Sequence, residues 1–328
     1  MRNLGVCTAA LLLVSCAGPA TPDVAPHLAA RGAPPGYELT AVPFFPQTAH
    51  QCGPAALAAV LVHSGVDTTP AALADEVYLP ARKGSLPVEI AAAARRHGRV
   101  PYRLSGEPGD LLAEVLAGNP VLVFLDLGRS WKPVRHFAVV VGYSRKGGLI
   151  ILRSGKEMRK IVPAGRFFAS WRGEGSWALV VQPPGKVPAT AEPAAFLREA
   201  AALEDLGEAA AALQAYQAAL ERWPDNETAL LGGANALYAT GNTGEAVDAY
   251  RTLLKEYPGN AAGMNNLAHL LAREGCFEEA LVQLRKGRSL VNGIFGDQLS
   301  ETEAQVIRMI EEGGTAARCP FPGPPVPP

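Results

Sequence analysis

The sequence shows no excess of charge of either sign. Among 328 residues, 30 Lys and Arg stand against 31 Asp and Glu, and charged residues make up only 19 %. A nucleic-acid binder needs a basic stripe to neutralise phosphates, so that class is set aside. With 48 % hydrophobic residues, neither is this the apolar-poor, highly charged profile of a disordered chain. Metal-site patterns are missing as well. There is no Cys-x-x-Cys, no His-Glu-x-x-His and no Cys/His cluster of metal-ligand spacing, so neither zinc nor any other cofactor is expected. The G-x-x-x-x-G-K-[S/T] loop of nucleotide-driven machines is missing too. Finally, cysteines are few: Cys7, Cys16, Cys52, Cys276 and Cys319.

What is present begins with Met1-Arg2-Asn3-Leu4, a short basic start, and an apolar run from Gly5 to Val14. That run is too short to span a bilayer and reads as the core of a signal peptide. It ends in Leu13-Val14-Ser15-Cys16-Ala17, which resembles the bacterial lipoprotein signal. The resemblance implies cleavage after residue 15, lipidation of Cys16 and a membrane anchor that does not span. Ala17 resembles the outer-membrane sorting pattern, which implies a lipoprotein facing the periplasm. Residues 16–36, Pro- and Ala-rich without hydrophobic period, read as the tether. With Cys7 removed and Cys16 lipidated, three thiols remain. An odd number in an oxidising compartment suggests one pair, Cys276 with Cys319, and one leftover, Cys52; the alternative is three free thiols.

Residues 37–184 read as one domain. Tyr37 to Phe45 is extended, ending at Pro46. Helices are predicted over Pro54 to Ser64, from a Thr69 cap to Val77, from Pro87 to Arg96, and from Pro108 to Ala117. The first is apolar nearly all round and so belongs in the interior. Val100 to Leu104 is a brief strand. After Pro120 the period changes, and Val121 to Leu125, His136 to Tyr143, Leu149 to Leu152 and Trp177 to Val181 read as strands. Helices first and an antiparallel sheet second make an α+β layout. Residues 185–192 then mark a linker.

From Pro193 the chain repeats. Gly207, Gly241 and Gly275 are spaced by 34 residues, and Ala200, Ala234, Ala268 and Ala212, Ala246, Ala280 keep the same register. Small residues at fixed positions let antiparallel helices approach closely. The pattern resembles the tetratricopeptide repeat in three units over 193–294, implying an all-α solenoid whose concave groove takes a protein partner. Ser300-Glu301-Thr302-Glu303 reads as a capping box opening a last helix within 295–314, the solvating cap of the array. Residues 315–328 form a Pro-rich tail.

The stretch Gln47-Thr48-Ala49-His50-Gln51-Cys52-Gly53-Pro54 sets a thiol where an extended segment turns into a helix. Unpaired N–H groups at a helix start favour a thiolate there. A nucleophilic thiol needs a base, a group orienting that base, and oxyanion donors. Among six histidines, His27 lies in the tether and His269 in the repeats. His63 is too far along the thiol's own helix, and His97 ends a helix. His50 is close enough to line a site. His136 heads the apolar run His136-Phe137-Ala138-Val139-Val140-Val141-Gly142-Tyr143, which places it at a sheet's rim.

Cys-Gly-Pro-Ala-Ala-Leu followed some 80 residues later by that run resembles the papain-like cysteine peptidases of the bacteriocin-processing (double-glycine leader) family, over Gln47 to Val181. The resemblance implies Cys52 as nucleophile, His136 as general base and Gln47 as oxyanion donor, with Gln51 a neighbour that could serve instead. About eighteen residues after the His this family has an Asp or Asn that orients it. Here that place falls at Arg153-Ser154-Gly155, where Ser154 offers only a hydroxyl; Asp126 lies before His136 and would need another geometry. Double-glycine peptidases are typically fused to transporter ATPases, so a double-glycine substrate is not expected here.

Three functions follow from these residues: a lipid-anchored thiol peptidase acting on a protein or peptide, an inactive papain-like domain serving as a binding scaffold in the envelope, or an acyl transferase using the same acyl-enzyme.

Overall fold

In the computed structural model, residues 33–47, 51–128, 131–290, 294–313 and 319–321 are described. The expected signal peptide, Cys16, most of the tether, His27, His50 and most of the tail lie outside them.

Four helices fall within residues 52–116: α1 (Cys52–His63), α2 (Pro70–Val77), α3 (Pro87–Arg96) and α4 (Pro108–Leu116). The last three open on proline, whose fixed φ suits the first helical position and whose missing N–H would be unpaired there anyway. Thr69 caps α2 by accepting from the Ala72 N–H at 3.3 Å. Helix α1 has no polar side. Every residue from Gly53 to Leu61 is buried, which makes it the central helix of the domain.

The strands are β1 (Gly36–Glu38), β2 (Val100–Arg103), β3 (Val121–Asp126), β4 (Arg135–Ser144), β5 (Leu149–Ser154), β6 (Glu157–Pro163) and β7 (Ala178–Gln182). They form one antiparallel sheet in the order β2-β7-β3-β4-β5-β6, with β1 added against the end of β4. Alternation along the strands sends residues to two different cores. Leu122, Phe124, Phe137, Val139 and Val141 pack with α1, α2 and α3. Val121, Val123, Leu125, Ala138 and Val140 pack on the other face with α4 and with Phe167, Phe168 and Trp171. These last three belong to α5 (Ala164–Arg172).

Both β6 and α5 are absent from the sequence reading. The Glu157–Pro163 strand is an exposed edge with scarcely a buried residue, so it carries no hydrophobic run to betray it. Helix α5 has neither a capping side chain nor a proline at its first position, the start signals that mark α2, α3 and α4. The expected extended segment 37–45 is a strand only over Gly36–Glu38.

The repeats form α6 (Pro193–Asp205), α7 (Ala209–Arg222), α8 (Glu227–Ala239), α9 (Thr243–Glu256), α10 (Ala261–Arg273) and α11 (Phe277–Leu290), followed by α12 (Ile294–Glu311). All six register alanines have no exposed surface. Gly207, Gly241 and Gly275 take positive φ of 80°, 83° and 78° at the turn inside each helix pair, where a Cβ would be strained. A disulfide joins Cys276 to Cys319. The expected capping box is corrected: α12 begins at Ile294, six residues before Ser300. Ser300 lies inside the helix and donates to the Gly296 carbonyl at 2.8 Å, while Thr302 bonds Asn265. A hydroxyl that finds an i−4 carbonyl has no reason to cap. Nor is α12 a wholly polar cover, since Phe295, Ile307 and Ile310 are exposed.

Residues 185–192 join the two parts without swinging free. Fully buried Glu114 accepts from Asn119 Nδ2, from the Thr190 N–H at 2.7 Å and from Thr190 Oγ1 at 2.6 Å. Lys186 bonds Asn119, and Arg222 donates to the Pro188 and Ala189 carbonyls. Each buried donor left without its acceptor costs about 1–3 kcal/mol, so this clamp is strong. Phe196, Leu197 and Ala200 of α6 share the core of the sheet's second face, and Arg95 of α3 pairs in bidentate fashion with Glu199 at 2.8 and 3.0 Å.

Candidate active site

Cys52 is the first residue of α1, with Gln51 at its N-cap position. The burial of α1 fixes this end rigidly against the sheet, and the first-turn N–H groups make no intrahelical bond. The thiol is half-buried and is the free cysteine among the described residues. Gly53 follows for a steric reason: a Cβ there would collide with the Ser85 side chain.

His136 is the second residue of β4 and lies opposite Leu125 of β3. Cys52, His136 and Gln47 line one cavity of about 1130 Å³, whose wall also includes Phe124, Phe137 and Trp177. The topology therefore brings together a helix start, a strand end and the segment preceding the helix.

His136 Nε2 and Ser154 Oγ share a hydrogen bond at 2.9 Å. This leaves Nδ1 as the ring nitrogen for other business. Ser154 ends β5 and is buried, so its hydroxyl is held in place. Burial pushes the His136 imidazole down to about 4, and the nearby Lys160 ammonium adds to the effect. The ring is neutral at pH 7.

Gln47 is anchored twice to Gly155, the residue after Ser154. Its N–H donates to the Gly155 carbonyl at 2.9 Å, and its Oε1 accepts the Gly155 N–H at 3.1 Å. With the amide oxygen occupied, the NH₂ is the end left to donate. Gln51 is exposed and does not line the cavity.

The other candidates fall elsewhere. Asp126 accepts the Gly128 and Val134 N–H groups at 2.8 and 2.9 Å, which closes the loop before β4 and holds its carboxyl below the usual range. His63 bonds the Gly118 carbonyl, and His97 bonds Glu76 at 2.9 Å. Among the described residues no group of three or more His, Cys, Asp or Glu could hold a metal ion.

Sequence reasoning missed two features of the site. The first is the reciprocal Gln47–Gly155 pairing, which joins segments more than a hundred residues apart and has no local signal. The second is Ser85, a cavity-wall residue whose hydroxyl is buried without a partner among the described residues. Its tight contact with Gly53 appears only once α1 and the turn before α3 are packed.

Comparison with known proteins agrees with this architecture. Residues 39–178 match the model of the Peptidase_C39 like family, and residues 197–261 and 231–286 match the tetratricopeptide repeat. No curated protein matches the chain. Similar solved structures include a protein of Bacillus anthracis described as a C39-like peptidase, 18 % identical, with a TM-score of 0.37, covering 47 % of this chain and 98 % of that one. Another is the peptidase domain of Streptococcus ComA, a bifunctional ABC transporter of a quorum-sensing pathway, 23 % identical over 43 % of this chain and 98 % of that one, TM-score 0.36. The tetratricopeptide domain of Sgt2 from Aspergillus fumigatus is 23 % identical over 42 % of this chain and 90 % of that one, TM-score 0.36. Residues 39–178 are thus similar to the Peptidase_C39 like family, and a stretch similar to the tetratricopeptide repeat follows in the same chain.

Proposed function

We propose that this protein is a cysteine-type peptidase acting on a protein or peptide substrate. The observation that carries this reading is the convergence of Cys52, His136 and Gln47 on one cavity, with His136 tied to Ser154 through Nε2. In the proposed cycle His136 takes the Cys52 proton and the sulfur attacks the scissile carbonyl carbon. The Gln47 NH₂ and the first-turn N–H groups of α1 hold the oxyanion. As the C–N bond breaks, His136 returns the proton to the leaving amine; water, deprotonated by His136, then releases the acyl group. An amine in place of that water would give acyl transfer by the same route.

Alkylation of Cys52 tests the thiol directly. Iodoacetamide at pH 7, followed by mass spectrometry of the Cys52 peptide, is expected to react with the native protein at least about tenfold faster than with the urea-unfolded chain. A native rate equal to or below the unfolded one removes the nucleophile.

A second reading is a weakly active or inactive domain that binds peptides as an envelope scaffold. The observation favouring it is Ser154 itself, since a neutral hydroxyl stabilises an imidazolium less than a carboxylate does. In either reading we propose export with a lipid anchor on Cys16 at the outer membrane, facing the periplasm, and a protein partner in the repeat groove. The Cys276–Cys319 disulfide supports an oxidising compartment. Labelled palmitate should enter the expressed protein and be lost in Cys16→Ala; equal labelling of both would refute the anchor.

A further inference from the structure

The wall of the Cys52 cavity is far more basic than the chain as a whole. Among the described residues four cationic side chains line it, namely Arg82, Lys83, Arg103 and Arg135. Glu174 is the one carboxylate among the described residues of the same wall, and it is already paired with Arg135 at 3.1 Å. The whole protein, by contrast, has a net charge of −1. A wall holding four cations and one anion in a near-neutral molecule is therefore a local arrangement.

The backbone that carries Arg82 and Lys83 is held by structure. Arg82 and Lys83 sit on a tight turn closed by the backbone pair Leu79 and Gly84 and by the Arg82 N–H donating to the Leu79 carbonyl at 3.0 Å. Lys83 is fixed with left-handed backbone at φ 51°. Arg103 ends β2 and lies over the Trp177 ring at 5.6 Å, a stacking that orients the guanidinium.

We propose that the cavity selects a peptide segment bearing acidic side chains, held by Arg82, Lys83 and Arg103. This rests on the peptidase reading and adds the substrate class. A cleft lined by one sign of charge concentrates ligands of the other sign. Guanidinium groups take carboxylates in bidentate geometry, which favours carboxylate side chains over a diffuse negative charge.

Two alkylating agents of different charge report the local field at Cys52 itself. The ratio of iodoacetate to iodoacetamide rate constants, measured at the Cys52 peptide in 20 mM salt, is expected to be about tenfold higher in the native protein than in the urea-unfolded chain. It should fall at least about twofold in R103Q and in R82Q, and also in 0.5 M salt, where the Debye length shrinks to a few ångströms. The second measurement uses amidated peptides, so that carboxylate comes from side chains alone. Ac-Ala-Glu-Glu-Gly-Ala-NH₂ should protect native Cys52 from iodoacetamide at a concentration at least about fivefold lower than its Gln-Gln counterpart. A native ratio within twofold of the unfolded one, a ratio unmoved by both substitutions, or equal protection by the two peptides overturns the proposal. A slow iodoacetamide reaction with a raised ratio would instead strike the peptidase reading alone, so the two failures are distinct.

Discussion

Cys52→Ala is expected to lower kcat/KM for peptide turnover at least about 10³-fold, and His136→Ala should do the same. The effect is large because the thiolate and its base act as one unit. Without sulfur there is no acyl-enzyme, and without the imidazole the thiol keeps its proton. For the same reason the double variant should be scarcely worse than either single one, since both remove the same step. Folding should survive: Cys52 is half-buried at a helix start, and removing one sulfur there costs no more than about 1–1.5 kcal/mol. Turnover of a fluorogenic peptide library by each purified variant, with the unfolding midpoint as control, decides the matter. Residual turnover within tenfold of wild type would assign the cavity to binding.

The second expected result concerns pH. Burial holds the His136 imidazole at about 4 in the folded protein, against an ordinary value of 6.5. The native state thus binds this proton less readily than the unfolded chain. The stability associated with neutral His136 is complete above 6.5 and is lost as pH falls from there through 4, by on the order of 3 kcal/mol in all. The acid limb of kcat/KM should accordingly lie near 4 instead of near 6.5. Ser154→Asp places a carboxylate beside Nε2, where the hydroxyl now stands at 2.9 Å. An adjacent negative charge favours imidazolium, so the limb should move up by about one to two pH units. Ser154→Asn, neutral and of similar size, should move it much less. His136 ring-proton NMR titration follows the same group independently of turnover. A folded Ser154→Asp protein with an unmoved limb and an unmoved titration would show that Ser154 does not govern His136.

Parts of the fold were legible because their signals are local. The repeats announce themselves through residues 34 apart, and the same alanines prove fully buried. Helix α1 was visible as an unbroken apolar run and β4 as the run behind His136. Strand β6 left no trace because an exposed edge strand has few buried positions to fill. The Ser300 capping box misled because its residues fit a helix interior equally well when a preceding carbonyl and Asn265 accept their hydroxyls. The proline-flanked joint at 185–192 read as a linker because composition records chain breaks and cannot record a buried acceptor such as Glu114, seventy-six residues away from Thr190.

By itself the sequence determined the order of the two parts, the repeat period, the thiol at a helix start and the histidine at a strand head, because each is written in neighbouring residues. Only the tertiary structure decided what completes the site. It set Ser154 against His136 across a strand pair, tied Gln47 to Gly155, and gathered Arg82, Lys83 and Arg103 around a cavity in a chain of nearly balanced charge. These placements depend on sheet register and on loop closure between segments far apart in sequence, and a single chain read in order contains neither.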